Sequence, residues 1–70
     1  MNKIKVTDVI ALLADIPDKK LIKGQVGTIV EILSDNNYEV EFCNPKGETV
    51  SISPVESNNL LLLHYEIETI

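Results

Sequence analysis

The chain has no tryptophan and no arginine, and only one cysteine, one histidine and one methionine in 70 residues. Each shortage closes off a class of function. Without arginine there is no bidentate fork for guanine edges, and a net charge of -5 makes the phosphate term of nucleic-acid binding unfavourable. The single cysteine, Cys43, excludes an internal disulfide and fits a reducing cytoplasm, the compartment expected here. One cysteine and one histidine are too few ligands for a structural zinc site, so neither metal nor cofactor is expected. Two tyrosines and one phenylalanine do not suffice to line a groove for proline-rich peptides. Long apolar runs are missing too. Residues 4–13 are interrupted by Lys5, Thr7 and Asp8, and the leucines of 60–63 are too few to cross a bilayer, so neither a signal peptide nor a membrane span is expected.

What is present is a short, acidic, β-branched chain. Its length suits one domain over residues 1–70, with a core region of about 8–63 and a tail of 64–70. Folding a chain of this size buries only about 60% of its unfolded surface, so function must reside on surface or loops rather than in a deep cavity. Charge is unevenly spread: residues 1–23 hold five lysines against three aspartates, and residues 24–70 hold one lysine against eight acids. The second part therefore suits a basic partner, although acidity also keeps a small domain soluble.

The stretch K-G-Q-V-G-T-I-V-E-I, residues 23–32, places two glycines three apart at the start of an alternating β-branched run. The glycines predict a bend and a close backbone approach at a barrel corner. A phosphate loop is excluded, because its lysine and hydroxyl residue open a helix and here a strand follows. Residues 9–13 read as a buried first strand, with a short helix as the rival. The next segment, A-D-I-P-D-K-K-L-I-K-G, has a proline and a charged tip without helical periodicity, which favours the strand. Residues 26–33 and 38–43 read as second and third strands around a turn at Asp35, Asn36 and Asn37, with Asn37 suited to the left-handed region. In N-P-K-G, Pro45 fits the second position of a type I turn and Gly47 the left-handed position that closes a three-residue hairpin. A fourth strand over 48–53 should stop at Pro54, and P-V-E-S-N-N suits a 3₁₀ turn before a last strand over 60–63.

Register follows from loop length. Two three-residue loops would put Val40 opposite Ile32 and Ile52, and Phe42 opposite Val30 and Val50, all on one buried face. Ile29, Glu31, Leu33, Glu39, Glu41 and Cys43 would then point outward, with Glu31 opposite Glu41. Together these expectations describe an all-β, small five-stranded SH3-like barrel with a C-terminal strand extension, since a flat sheet of this size would expose an apolar face and two edges. The extension rests on Leu61, Leu63, Tyr65 and Ile67, which alternate past the normal length of a barrel strand. They could pair on an edge of the same barrel or on a neighbour, or simply fray.

K-G-Q-V-G-T-I-V-E-I, preceded by D-V-I-A-L-L-A-D-I-P and followed by Y-E-V-E-F and N-P-K-G-E-T-V, resembles a family of small bacterial proteins catalogued only as a domain of unknown function, four-nine-two-six. The resemblance runs from about Asp8 to Leu63, and residues 65–70 extend past the usual end of the pattern. It implies an SH3-like barrel and no assigned activity, so there is no catalytic motif to carry over. The K-G-x-V-G-T-[IV] element is also similar to segments of nitrile hydratase beta subunits and of ribosome-linked KOW domains, but KOW domains that bind RNA are usually basic.

No convergent acid, base and nucleophile is evident, so an enzyme is not expected. Cys43 and His64 are the one pair that could suggest nucleophilic catalysis, and Cys43 has no cationic neighbour in sequence to activate it. Lys19, Lys20 and Lys23 could keep the first loop soluble or dock it on an acidic surface. The sequence thus points to a non-catalytic protein-protein interaction module, an accessory subunit or neutralising partner of another small bacterial protein, with self-association into a homo-oligomer through the tail as a further form of the same reading. Its candidate interface is Ile29, Leu33, Glu39 and Glu41 with Tyr65 and Ile67. The alternative is a KOW-like nucleic-acid-binding module using the first-loop lysines.

Overall fold

The computed structural model describes residues 4–63. Five strands follow in order: β1 (Val9–Leu12), β2 (Val26–Ser34), β3 (Asn37–Cys43), β4 (Thr49–Glu56) and β5 (Leu60–Leu62). All pairings are antiparallel, and the sheet order is β4-β3-β2-β1-β5. A 3₁₀ turn at Ser57–Asn59 carries the chain from one edge of this sheet to the other. This is the SH3-like barrel arrangement expected from the sequence: a long first loop, a three-strand meander, and a tight turn into a last strand beside the first.

The first loop is ordered by its own contacts. Ile16 and Leu21 exchange backbone hydrogen bonds of 2.8 and 3.1 Å around a 3₁₀ turn at Pro17–Lys19, and Lys20 closes that turn in the left-handed region. Leu21 drops into the core, leaving Lys19, Lys20 and Lys23 in solvent. The Lys23 amide donates to the Asp15 carboxylate at 2.7 Å, which fastens the far side of the loop. Gly24, at φ +90°, then bends the chain so that its amide reaches the Leu12 carbonyl at 2.7 Å.

Inside, Ile10, Leu12, Leu21, Ile29, Val40, Phe42, Val55 and Leu60 form one apolar cluster. Its rows run across the sheet. Ile10, Gly27, Phe42 and Ser51 stand side by side, as do Ile29, Val40 and Ser53, and then Ile32, Tyr38 and Val55. The largest side chain is thus flanked by the two smallest. A Cβ on Gly27 would lie 2.7 Å from Val40 and 2.8 Å from the Phe42 ring, so the second glycine of the motif is the close approach anticipated for it.

The register of β3 is as expected, with Val40 and Phe42 inward, but its two neighbours depart from expectation through bulges. The turn between β2 and β3 spans two residues rather than three, and Asn37 is the first residue of β3, paired with Ser34, rather than a left-handed turn residue. Irregularities between Ile32 and Ser34 and between Ile29 and Glu31 each add a residue to β2. The second of these switches the buried phase, so Ile29 is fully buried and Val30 is exposed. On the other side the N-P-K-G loop forms as anticipated: Gly47 sits at φ +84°, and its amide donates to the Asn44 carbonyl at 2.9 Å. A bulge at Val50 then turns Ser51, Ser53 and Val55 inward and leaves Val50 and Ile52 54% and 53% exposed. The physical reason is volume. Val30, Phe42 and Val50 in one row would overfill a barrel this small, whereas glycine and serine on either side of Phe42 fit.

Ser53 is the one buried polar residue among those described, and its hydroxyl lies 2.8 Å from that of Ser51. Ser53→Ala removes one hydrogen bond and leaves the Ser51 hydroxyl part-buried, so urea denaturation should show a loss of about 1 kcal/mol.

Strand β4 also runs on through Pro54 to Glu56 instead of stopping at residue 53. Proline is tolerated there because β4 is an edge strand, where a missing amide that faces away from the sheet forfeits no ladder bond.

Candidate interaction surface

Cross-strand pairing fixes which side chains share the outer face of β2, β3 and β4. One row is Thr28, Glu41 and Ile52; the next is Glu31, Glu39 and Pro54; the last is Ser34, Asn37 and Glu56. Towards β1 the same face carries Val26, Ala11 and Leu61. Alternation along β3 sets Glu39, Glu41 and Cys43 outward, as Y-E-V-E-F-C dictates once Val40 and Phe42 are inside.

The acids on this face differ in how they are held. The Glu41 carboxylate accepts a short hydrogen bond from the Thr49 hydroxyl. Glu48, at the end of the next hairpin, accepts from the Asn44 side-chain amide at 2.8 Å, while Asn44 itself takes the Lys46 and Glu48 amides at 2.9 and 3.0 Å. Those bonds make the N-P-K-G-E turn a closed unit. Glu31 and Glu39, by contrast, stand directly opposite one another, with Pro54 as the next member of the row. Like charges so placed destabilise a sheet by roughly 0.2–1 kcal/mol, and among the described residues no lysine stands across from either one.

The expected interface residues fall into three groups. Leu33, Glu39 and Glu41 are reachable, Leu33 being exposed and the glutamates half-buried. Ile29 is not: the bulge after it rotates it into the core, between Val40 and the Asp8 backbone, and it leaves the candidate surface. Tyr65 and Ile67 lie outside the described residues, as does His64, so the structure does not place the Cys43–His64 pair. Glu31 faces Glu39 rather than Glu41, which is opposite Thr28, a consequence of the same bulge. In place of Ile29 the structure adds Ile52 and Val26, which strict alternation would bury, and Leu61, which the sequence pattern gives to the C-terminal extension; all three are exposed.

Cys43 is exposed. Among the described residues, no group of three or more histidine, cysteine, aspartate or glutamate side chains is arranged to hold a metal ion, and no helix is long and apolar enough to cross a membrane.

No curated protein and no solved structure matches the chain. A family model, Domain of unknown function (DUF4926), matches residues 6–62. That span runs from the turn before β1 to the last residue of β5 and so takes in the K-G-x-V-G-T element, the bulged β2 and the whole acidic sheet face. The chain belongs to the DUF4926 family, and the matched span takes in all five strands.

Proposed function

We propose that the chain is a non-catalytic protein-interaction module of the cytoplasm whose outer β2-β3-β4 face receives a protein carrying both basic and apolar groups. The observation that supports this reading most directly is the juxtaposition of Glu31 and Glu39 with no cation among the described residues across from them, next to the exposed Ile52 and Leu33. A cation from a partner would relieve the repulsion, and the apolar residues would supply burial. The surplus of acids after residue 23 extends the same preference over most of the barrel.

Affinity purification of the tagged chain from its native cell, beside light scattering of the pure protein, tests the proposal. Wild type should retain a specific protein or form a defined oligomer. Ile52→Lys and Leu33→Lys should each weaken that association by at least about tenfold, the effect expected of a charge set into an apolar contact, without changing the circular dichroism spectrum. A monomer that captures nothing defeats the proposal. Salt-sensitive binding of RNA or DNA that depends on Lys19, Lys20 and Lys23 would instead identify the module as a nucleic-acid binder.

A further inference from the structure

The described residues do not cover the inner face of the sheet along its whole length. Strand β1 runs beside β2 at residues Val26, Gly27 and Thr28, and the Thr7 and Asp8 backbone extends that cover to Ile29 with bonds of 2.8 and 2.9 Å. Past Ile29, no described strand flanks β2 on that side. The effect is visible along the next row. Val55 on β4 is 4% exposed, Tyr38 on β3 is half-buried, and Ile32 on β2 is 49% exposed. The core therefore opens at the β2 edge, where Leu33 and Val30 are exposed as well. On the outer side of the same edge stand Glu31 and Glu39, facing each other.

We infer that this open end of the barrel is the site at which the partner is engaged. The occupant is a segment of another protein that sets an aliphatic side chain on Ile32 beside Tyr38 and places an adjacent arginine or lysine between Glu31 and Glu39. The inference rests on the interaction reading above and narrows it to one edge and one ligand chemistry. Charge selects this occupant over the others. A second copy docked edge to edge about a two-fold axis would bring four glutamates together, because isologous contact sets the same patch of each copy against the other. The chain's own C-terminal segment, H-Y-E-I-E-T-I, offers apolar residues but two further acids and no lysine or arginine, while Lys5, before β1, is held in a turn in which its amide donates to the Asp8 carboxylate at 2.8 Å and its carbonyl accepts from the Asp8 amide at 3.0 Å. A basic-apolar segment alone satisfies both halves of the site. The remaining open edge of comparable length, that of β4, is interrupted by Pro54 and by the Val50 bulge, both of which oppose docking along it.

The test is titration of the isotope-labelled full-length chain with a capped hexapeptide alternating arginine and valine, followed by amide chemical shifts. Saturable shifts should appear at residues 30–34, 37–39 and 55–56. Glu31→Gln combined with Glu39→Gln should weaken binding at least about tenfold at low salt, and Ile32→Ser by about fivefold, since both a desolvated ion pair and an apolar anchor are removed. A glutamate-valine peptide should not bind, and an arginine-serine peptide should bind more weakly. Absence of saturable shifts, equal binding of the arginine-serine peptide, or shifts centred on Ile52 would overturn the inference. So would a dimer that Ile32→Ser dissociates, or proximity of Ile32 to Tyr65 or Ile67 in the free chain, which would assign the edge to a second copy or to the chain itself. A captured native partner that is lost with Ile52→Lys but kept with Ile32→Ser would overturn this site while leaving the broader proposal intact.

Discussion

Phe42→Ala should leave the domain partly unfolded at room temperature. The Phe42 side chain is the largest in the core and has no exposure to solvent. Removing a buried aromatic ring costs about 3–5 kcal/mol. A domain of this length has a total stability on the order of 3–10 kcal/mol at ordinary values per residue. The variant should therefore be partly unfolded at room temperature, with a thermal midpoint lowered by more than about 10 °C. Thermal and urea melts followed by circular dichroism will show whether it is. The cavity would form where collapse is hardest, because the flanking residues, Gly27 and Ser51, carry too little side chain to move in. A variant that melts within a few degrees of wild type would mean that the ring is not the centre of the packing.

Gly27→Ala should be the second most damaging change, although it adds a single methyl group. The new carbon would meet Val40 Cγ1 at 2.7 Å and two carbons of the Phe42 ring at 2.8 Å. Neither side chain is free to yield, since both are fully buried. Overpacking of this kind costs about 1–3 kcal/mol, only partly offset by roughly 0.5–1 kcal/mol gained from stiffening a strand glycine. The double variant Gly27→Ala with Phe42→Leu separates this cause from others. If the clash is with the ring, the smaller side chain relieves it, and the two changes together cost less than the sum of their separate effects. Additive losses in urea melts would place the damage in the backbone instead. Gly24 and Gly47 provide the contrast: a Cβ on either would meet nothing within 4 Å, and what demands glycine there is the positive φ.

These two residues also mark how much the sequence revealed. The order of the strands, the N-P-K-G hairpin, the role of each glycine in K-G-x-V-G-T and the inward face of β3 were all legible, because each depends on local chemistry or on strict alternation. The inward faces of β2 and β4 were not. Both hairpins begin near the expected alignment, and then Val30 and Val50 each occupy an extra position that shifts the phase by one. Nothing about a valine announces a bulge. The available clue was volume: Phe42 between two valines is too large for so small a barrel, whereas Phe42 between Gly27 and Ser51 is not. The candidate surface inherited the same error, which is why Ile29 moved to the core while Ile52 came to the outside. Glu39 and Glu41 point outward, as alternation predicts, because β3 contains no bulge before Phe42.

Pro54 has a consequence beyond its compatibility with an edge. Strand β4 is eight residues long and exposes Val50 and Ile52, a composition that would ordinarily template the addition of further chains. A ring without an amide hydrogen, placed four residues after a bulge, divides that edge into pieces too short to propagate a continuous ladder. The edge thus carries exposed Val50 and Ile52 yet resists templating the open-ended growth of fibrils.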